Sequence, residues 1–257
     1  MARRSPLDNG AFKASLATGA TTFGIFAGMA APMAAEVAAA SGADWVLLDL
    51  EHGAGGEEQI SPTVVATGAY GVPTLVRVES AAAIRIGRAL DAGAAGIMVP
   101  RIATAQQARE AVAHFSYPPI GDRGVASYNR AAQWGRDPEA FNPQTRAAAI
   151  IQIETLGALE EVEEIAAIDG VDLLFVGPLD LSFALGVPRQ FDHPLFVKAL
   201  ERVLSAATAY GKTAGILAAN GATAKKYTAM GFRFLAISSD SVLLSQAVAK
   251  NIEEAKN

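Results

Sequence analysis

Short apolar runs, each closed by a turn signal and followed by a segment of helical pattern, recur down the whole chain. This is the alternation of a parallel sheet whose strands return through helices. The runs are TTFGIFAG, WVLLDLEH, TLVRV, GIMVPRI, AIIQIET, LLFVGPLD, TAGILA and FLAISSD. They predict about eight strands, the number that closes a (β/α)8 barrel. Alanine-rich segments between them carry the helical pattern: PMAAEVAAAS, AAAIRIGRALDAG, TAQQAREAVAHF, LGALEEVEEIAAI, HPLFVKALERVLSAATAYG, TAKKYTAMG and SVLLSQAVAKNIEEAK. Several end in glycine, which readily takes the left-handed cap conformation. PLDNGAFKASLATG, ahead of the first strand, predicts an extra helix closing the barrel bottom.

A doubly wound open sheet has the same alternation. Its markers are missing: no run is followed by GxGxxG or GxxxxGK[ST], and polar residues follow many strands instead of gathering at one switch point. The 30 residues from Ser116 to Thr145 are long for a connection. They are expected to form a rim or lid after the fourth strand, on the face where barrel enzymes keep their sites.

The chain has 257 residues, 51% of them hydrophobic, which suits one barrel domain spanning residues 1–257. Cysteine is absent, which excludes disulfides, thiolate metal sites and cysteine nucleophiles. The net charge of −5 argues against a nucleic-acid surface. MARRSPLDNG has no apolar segment of signal type behind its arginines, so a cytoplasmic location is expected.

The polar groups concentrate at predicted strand ends. Residues i and i+2 of a strand share a face, so Gln152 and Glu154 project inward near the rim and Ile153 toward the helices. Asp180 follows the next strand. Adjacent strands are about 4.8 Å apart, close enough for Glu154 and Asp180 to share a cation, and without one the two carboxylates would raise one another's pKa. Oxygen ligands with open positions suit Mg²⁺, Mn²⁺ or Co²⁺. Either acid alone could be an ordinary helix cap; both, with Gln152, favour the metal.

A third strand end carries Asp49, Glu51 and His52. A neutral imidazole there can take a proton at pH 7. His114 and His193 fit structural roles. Arg77 is an inward cation that could clamp a substrate carboxylate or pair with Glu51 or Glu79, and Arg123 has the same ambiguity. Lys212 and Lys225 stand in a turn and a helix, which weakens a Schiff-base mechanism.

DWVLLDLEHG, LVRV, GAAGIMVPRI, YPPIGDRGV, IQIET and VDLLFVGPLDLS, in that order, resemble the HpcH/HpaI family of class II 2-oxo-acid aldolases. Relatives act on 4-hydroxy-2-oxoheptanedioate, 2-dehydro-3-deoxyglucarate and 2-dehydro-3-deoxyrhamnonate. The resemblance implies a metal-dependent (β/α)8 lyase, usually hexameric, whose last helix packs on a neighbouring subunit. It implies Glu154 and Asp180 as metal ligands, Gln152 and Arg77 as holders of the oxo acid, His52 as part of the base machinery, and Asp91 in RALDAG as its support. Backbone at Gly177, Pro178 and Leu179 would meet the substrate. Leu50 stands where many relatives have glycine and Leu179 where alanine is common, which would narrow the pocket.

The implied reaction joins or cleaves pyruvate, or hydroxypyruvate, and an aldehyde through a metal-bound enolate. The long loop, the surroundings of Leu217 and a neighbouring subunit would read the aldehyde. Alternatives are another metal-enolate lyase, an oxaloacetate-type decarboxylase, or a non-catalytic sugar-acid binding barrel.

Overall fold

The computed structural model describes residues 9–137, 139–142 and 146–257. Eight parallel strands close on themselves in chain order: β1 (Thr22–Ala27), β2 (Trp45–Asp49), β3 (Thr74–Arg77), β4 (Gly96–Val99), β5 (Ala148–Ile153), β6 (Leu173–Val176), β7 (Thr213–Ala218) and β8 (Phe234–Ser239). The helices in chain order are α1 (Asn9–Leu16), α2 (Pro32–Ala40), α3 (Ile60–Gly68), α4 (Ala83–Asp91), α5 (Ala105–Ala113), α6 (Leu156–Glu160), α7 (Val162–Ala166), α8 (Pro178–Ala184), α9 (Pro194–Ala209), α10 (Gly221–Met230) and α11 (Asp240–Lys256). This is the (β/α)8 barrel that the alternation predicts.

The period of two along each strand divides the core. Trp45 and Leu47 of β2, Leu75 of β3, Met98 of β4, Ile150 of β5, Phe175 of β6 and Phe234 of β8 pack inside the barrel. Leu48, Val76, Ile97, Ile151, Ile153, Leu174 and Ile216 pack outward against the helices. Phe12 and Leu16 of α1 join the inner group and close the bottom, as expected for that segment; residues 6–8 of its predicted span lie outside the described residues. Gly24 makes room for the largest inner side chain: a Cβ there would lie 2.1 Å from the Trp45 ring, which stacks on Phe234 with centroids 4.0 Å apart.

The helices depart from expectation in three places. α3 lies in ISPTVVATG, where β-branched residues hide the helical signal. α8 begins directly at Pro178, so that GPLDLS is a helix start and not a strand end. LGALEEVEEIAAI divides into α6 and α7 at Glu161, which has φ −105° and ψ 21° and whose carboxylate accepts the Ala105 N–H at 2.6 Å.

The long segment after Ser116 is also placed differently. It leaves the C-terminal end of α5 and re-enters at β5, so both its ends lie at the N-terminal ends of the strands, opposite the expected face. The reason is simple: α5 fits between β4 and the excursion. Pro138 and residues 143–145 of this segment are outside the described residues.

Candidate active site

Continuing the inward alternation to the C-terminal ends of the strands changes its chemistry from apolar to polar. Asp49 follows Leu47 on β2, Arg77 follows Leu75 on β3, and Gln152 follows Ile150 on β5 with Glu154 beyond it. All four are buried, with exposures of 5%, 7%, 2% and 4%. The register sets Asp49 beside Arg77, and the pair is bidentate, Nε donating to Oδ1 at 2.9 Å and Nη2 to Oδ2 at 2.7 Å. Nη1 lies 3.1 Å from Glu51 Oε2, and the guanidinium sits over the Phe26 ring, 5.1 Å from its centroid. Burial works against the Arg77 charge, but Asp49, Glu51 and Glu154 outweigh it and hold the guanidinium above its ordinary range. The fork expected to clamp a substrate is therefore occupied by the scaffold, and Glu79 is not its partner.

Asp49 does more than pair. Its Oδ1 also accepts the backbone N–H of Glu51 at 3.1 Å and of His52 at 3.3 Å, so one carboxylate fixes both the arginine and the turn that carries the histidine. DLEH signals an acid at a strand end, but only the register reveals what it holds. His52 has its side chain 65% exposed and its Nε2 is 3.8 Å from Glu51 Oε1. Burial raises the Glu51 pKa against the lowering effect of Arg77, His52 and Arg101.

Across the barrel, Glu154 Oε1 accepts the backbone N–H of Arg101 at 2.7 Å, and Oε2 accepts from Gln152 Nε2. Gln152 Oε1 is buried without a hydrogen-bond partner. Burial pushes the Glu154 pKa up to about 7; the Arg101 N–H opposes this, and the charges of Asp180 and Glu51 add to it. Asp180 stands exposed in the first turn of α8. Gly177 permits the close approach of β5 and β6 ends, since a Cβ would lie 2.6 Å from Glu154 Oε2 and 2.7 Å from Gln152 Nε2. Pro178 is buried and Leu179 is 50% exposed. Leu217 packs against the inner barrel group from β7.

Three residues with positive φ outside glycine mark the same end of the barrel: Ala30 at 52° after β1, Arg101 at 56° after β4 and Ser238 at 58° within β8. Backbone strain of this kind gathers at functional sites.

Some expected placements change. Asp91 ends α4 on the turn into β4 and pairs with Arg123 Nη2 at 2.6 Å, not with His52; Arg123 in turn lies over Tyr117, 4.7 Å from the centroid. The physical cause is connectivity, because α4 carries the chain away from the His52 face. Leu50 packs outward with Ala30 and Leu48, so it does not narrow the pocket. His114 pairs with Asp122 at 2.7 Å and His193 caps α9, as their structural readings predict. Lys212 donates to the Ile168 carbonyl at 3.1 Å, and Lys225 is exposed on α10.

The donor set suits a hard cation: two mutually repelling carboxylates and an amide oxygen without a partner, in a pocket of oxygen atoms. No group of three His, Cys, Asp or Glu side chains among the described residues forms a closed cage. Such a cation would keep positions for water or substrate.

Polar side chains from several strands at the C-terminal face of a closed barrel define an enzyme of the (β/α)8 class. Residues 22–247 match the model of the HpcH/HpaI aldolase/citrate lyase family, to which the chain belongs. It is 37% identical over 243 residues to a 2-keto-3-deoxy-L-rhamnonate aldolase of Klebsiella pneumoniae, covering 94% of this chain and 91% of that protein. Among solved structures it superposes with TM-score 0.91 on an HpcH/HpaI aldolase/citrate lyase family protein from Burkholderia cenocepacia, at 34% identity over 96% of this chain and all of the other. An HpcH/HpaI aldolase from Desulfitobacterium hafniense gives 0.88 at 30% identity, covering 95% and 96%. The protein is a carbon–carbon lyase of the aldolase kind, acting on 4-hydroxy-2-oxo acids.

Proposed function

We propose that the chain cleaves and forms 4-hydroxy-2-oxo acids of the sugar-acid type, with pyruvate or hydroxypyruvate as one half and an aldehyde as the other. The similarity to aldolases named for 2-keto-3-deoxy-L-rhamnonate supports that substrate class. The observation that carries the reading is the unpartnered Gln152 Oε1 beside Glu154, within the charge field of Asp180. Glu154 and Asp180 would hold the metal, Mg²⁺ or Mn²⁺, with Co²⁺ acceptable to the same oxygens. Bound there, the cation would supply Lewis-acid stabilisation of charge developing on the oxo acid.

The protein's own groups account for the rest. Gln152 orients the oxo acid, and the backbone at Gly177, Pro178 and Leu179 lies beside its carboxylate. Arg77, fixed by Asp49, places positive charge beside the reacting oxygens without being free to swing toward bulk water. His52, exposed on its turn, takes a proton from C3 of the donor, directly or through water. In the reverse direction the carbanionic carbon attacks the aldehyde carbonyl, and the proton returns to the new hydroxyl.

Assembly belongs to the same reading. α11 has no buried residue and exposes Val242, Leu243, Leu244, Val248 and Ile252. A neighbouring copy covering this helix, in a hexamer, would bury them, and Asp91 of another copy could then support His52.

The test is exchange of the pyruvate methyl protons in D₂O, followed by NMR with Mg²⁺, with chelator and with His52→Ala. Exchange that needs both the metal and His52 is expected. Exchange indifferent to His52 would remove it as the base, and none with any metal would remove pyruvate as the donor.

A further inference from the structure

The guanidinium groups near the carboxylates differ in what they are free to do. Two bear on Glu51: Arg77 and Arg101. Arg77 is buried and committed to Asp49 and Glu51. Arg101 is exposed, and no ion pair or hydrogen bond of its guanidinium occurs among the described residues. Its backbone, by contrast, is fixed. The N–H is held on Glu154 Oε1 at 2.7 Å, and φ of 56° places the residue in the left-handed region, which costs a non-glycine residue about 1–2 kcal/mol. A free cation is thus mounted on a rigid point next to the carboxylate proposed to bind metal.

Charge decides what this cation can serve. Glu51, Glu154 and Asp180 all act on one another here, so the mouth would repel a second acid group on the substrate. The donor half takes its place at Gln152, Gly177 and Asp180, and the far end of the acceptor half extends from there toward solvent. We propose that Arg101 is the specificity residue of the acceptor side. Its guanidinium receives a carboxylate at the far end of the substrate, so that 4-hydroxy-2-oxo acids with a second acid group are favoured over those ending in an uncharged chain. The inference rests on the aldolase reading above and narrows its substrate class. A carboxylate is the fitting anion because one guanidinium matches it in charge and planar geometry.

The test is aldol addition of pyruvate by the Mg²⁺-loaded enzyme to succinic semialdehyde and to butanal, which carries a methyl group in place of the carboxylate. Wild type, Arg101→Gln and Arg101→Lys are compared by kcat/KM. Wild type is expected to favour the semialdehyde by about tenfold or more, the scale of one charge-assisted hydrogen bond. Arg101→Gln should erase that preference mainly through KM, and Arg101→Lys should restore part of it. Equal losses for both aldehydes in Arg101→Gln would reduce Arg101 to its backbone contact with Glu154 and overturn the proposal. Pyruvate proton exchange without a preference for the semialdehyde in wild type would also overturn it and leave the aldolase reading standing. Absence of exchange would remove that reading, and the proposal with it.

Discussion

Glu154 is where burial and charge meet most directly, and its protonation links pH to stability. Its carboxyl is raised from 4.5 to about 7 in the folded protein by burial, with Asp180 and Glu51 adding to the effect. A raised acid favours the protonated folded state, so its contribution is fully present below 4.5 and is lost as pH rises through about 7. The metal-free protein should therefore lose on the order of 3 kcal/mol from this group between pH 5 and pH 8. A divalent cation needs the ionised form, so the rise in Tm on adding Mg²⁺ should grow over the same range; thermal melts in EDTA and in Mg²⁺ at both pH values check this, and a pH-independent gap would contradict it. Gly177→Ala tests the approach of Gly177 to the same carboxylate. The added Cβ displaces Glu154 or Gln152, and calorimetric Mg²⁺ affinity is expected to fall by about tenfold or more. The positions of Gln152 and Glu154 were legible from a period of two. The partner of Gln152 Oε1 was not, since the amide's direction depends on the packing of Gly177.

At the scale of elements, the strands were legible because their inward and outward faces alternate cleanly, whereas α3 and α8 were obscured by β-branched residues and by a proline at a helix start. The pairing of Asp49 with Arg77 was hidden for another reason. Their neighbourhood is a property of the β2–β3 register, which no local pattern encodes. Asp49 joins these two strand ends to the 51–52 turn through four hydrogen bonds. Asp49→Asn should cost about 2–3 kcal/mol in urea denaturation, because Arg77 remains buried with only Glu51 as a full charge partner. The same variant should lower kcat well below what the stability loss explains, since both Arg77 and His52 lose their anchor. A variant that loses stability but retains kcat would show that Glu51 alone can hold the arginine.

At the scale of the molecule, closure of the sheet brings β2, β3, β5 and β6 to one rim, and this made the barrel readable from strand count alone. The long segment after Ser116 was misplaced because its length signals an excursion without saying at which end of the barrel it occurs. α11 remains the element that a single copy leaves uncovered. Leu244, Val248 and Ile252 recur every fourth residue and are each about half exposed, at 53%, 49% and 50%, forming one apolar stripe along the helix. Burying such a stripe in another copy would stabilise the assembly by about 1.5–3 kcal/mol per large side chain. Leu244→Asp with Val248→Asp places two charges in that contact. Light scattering should find wild type as an oligomer and the double variant as smaller species, with circular dichroism unchanged because these side chains support no core in their own barrel. An unchanged mass would mean that α11 does not form the contact, and a monomeric wild type would remove the proposed assembly altogether.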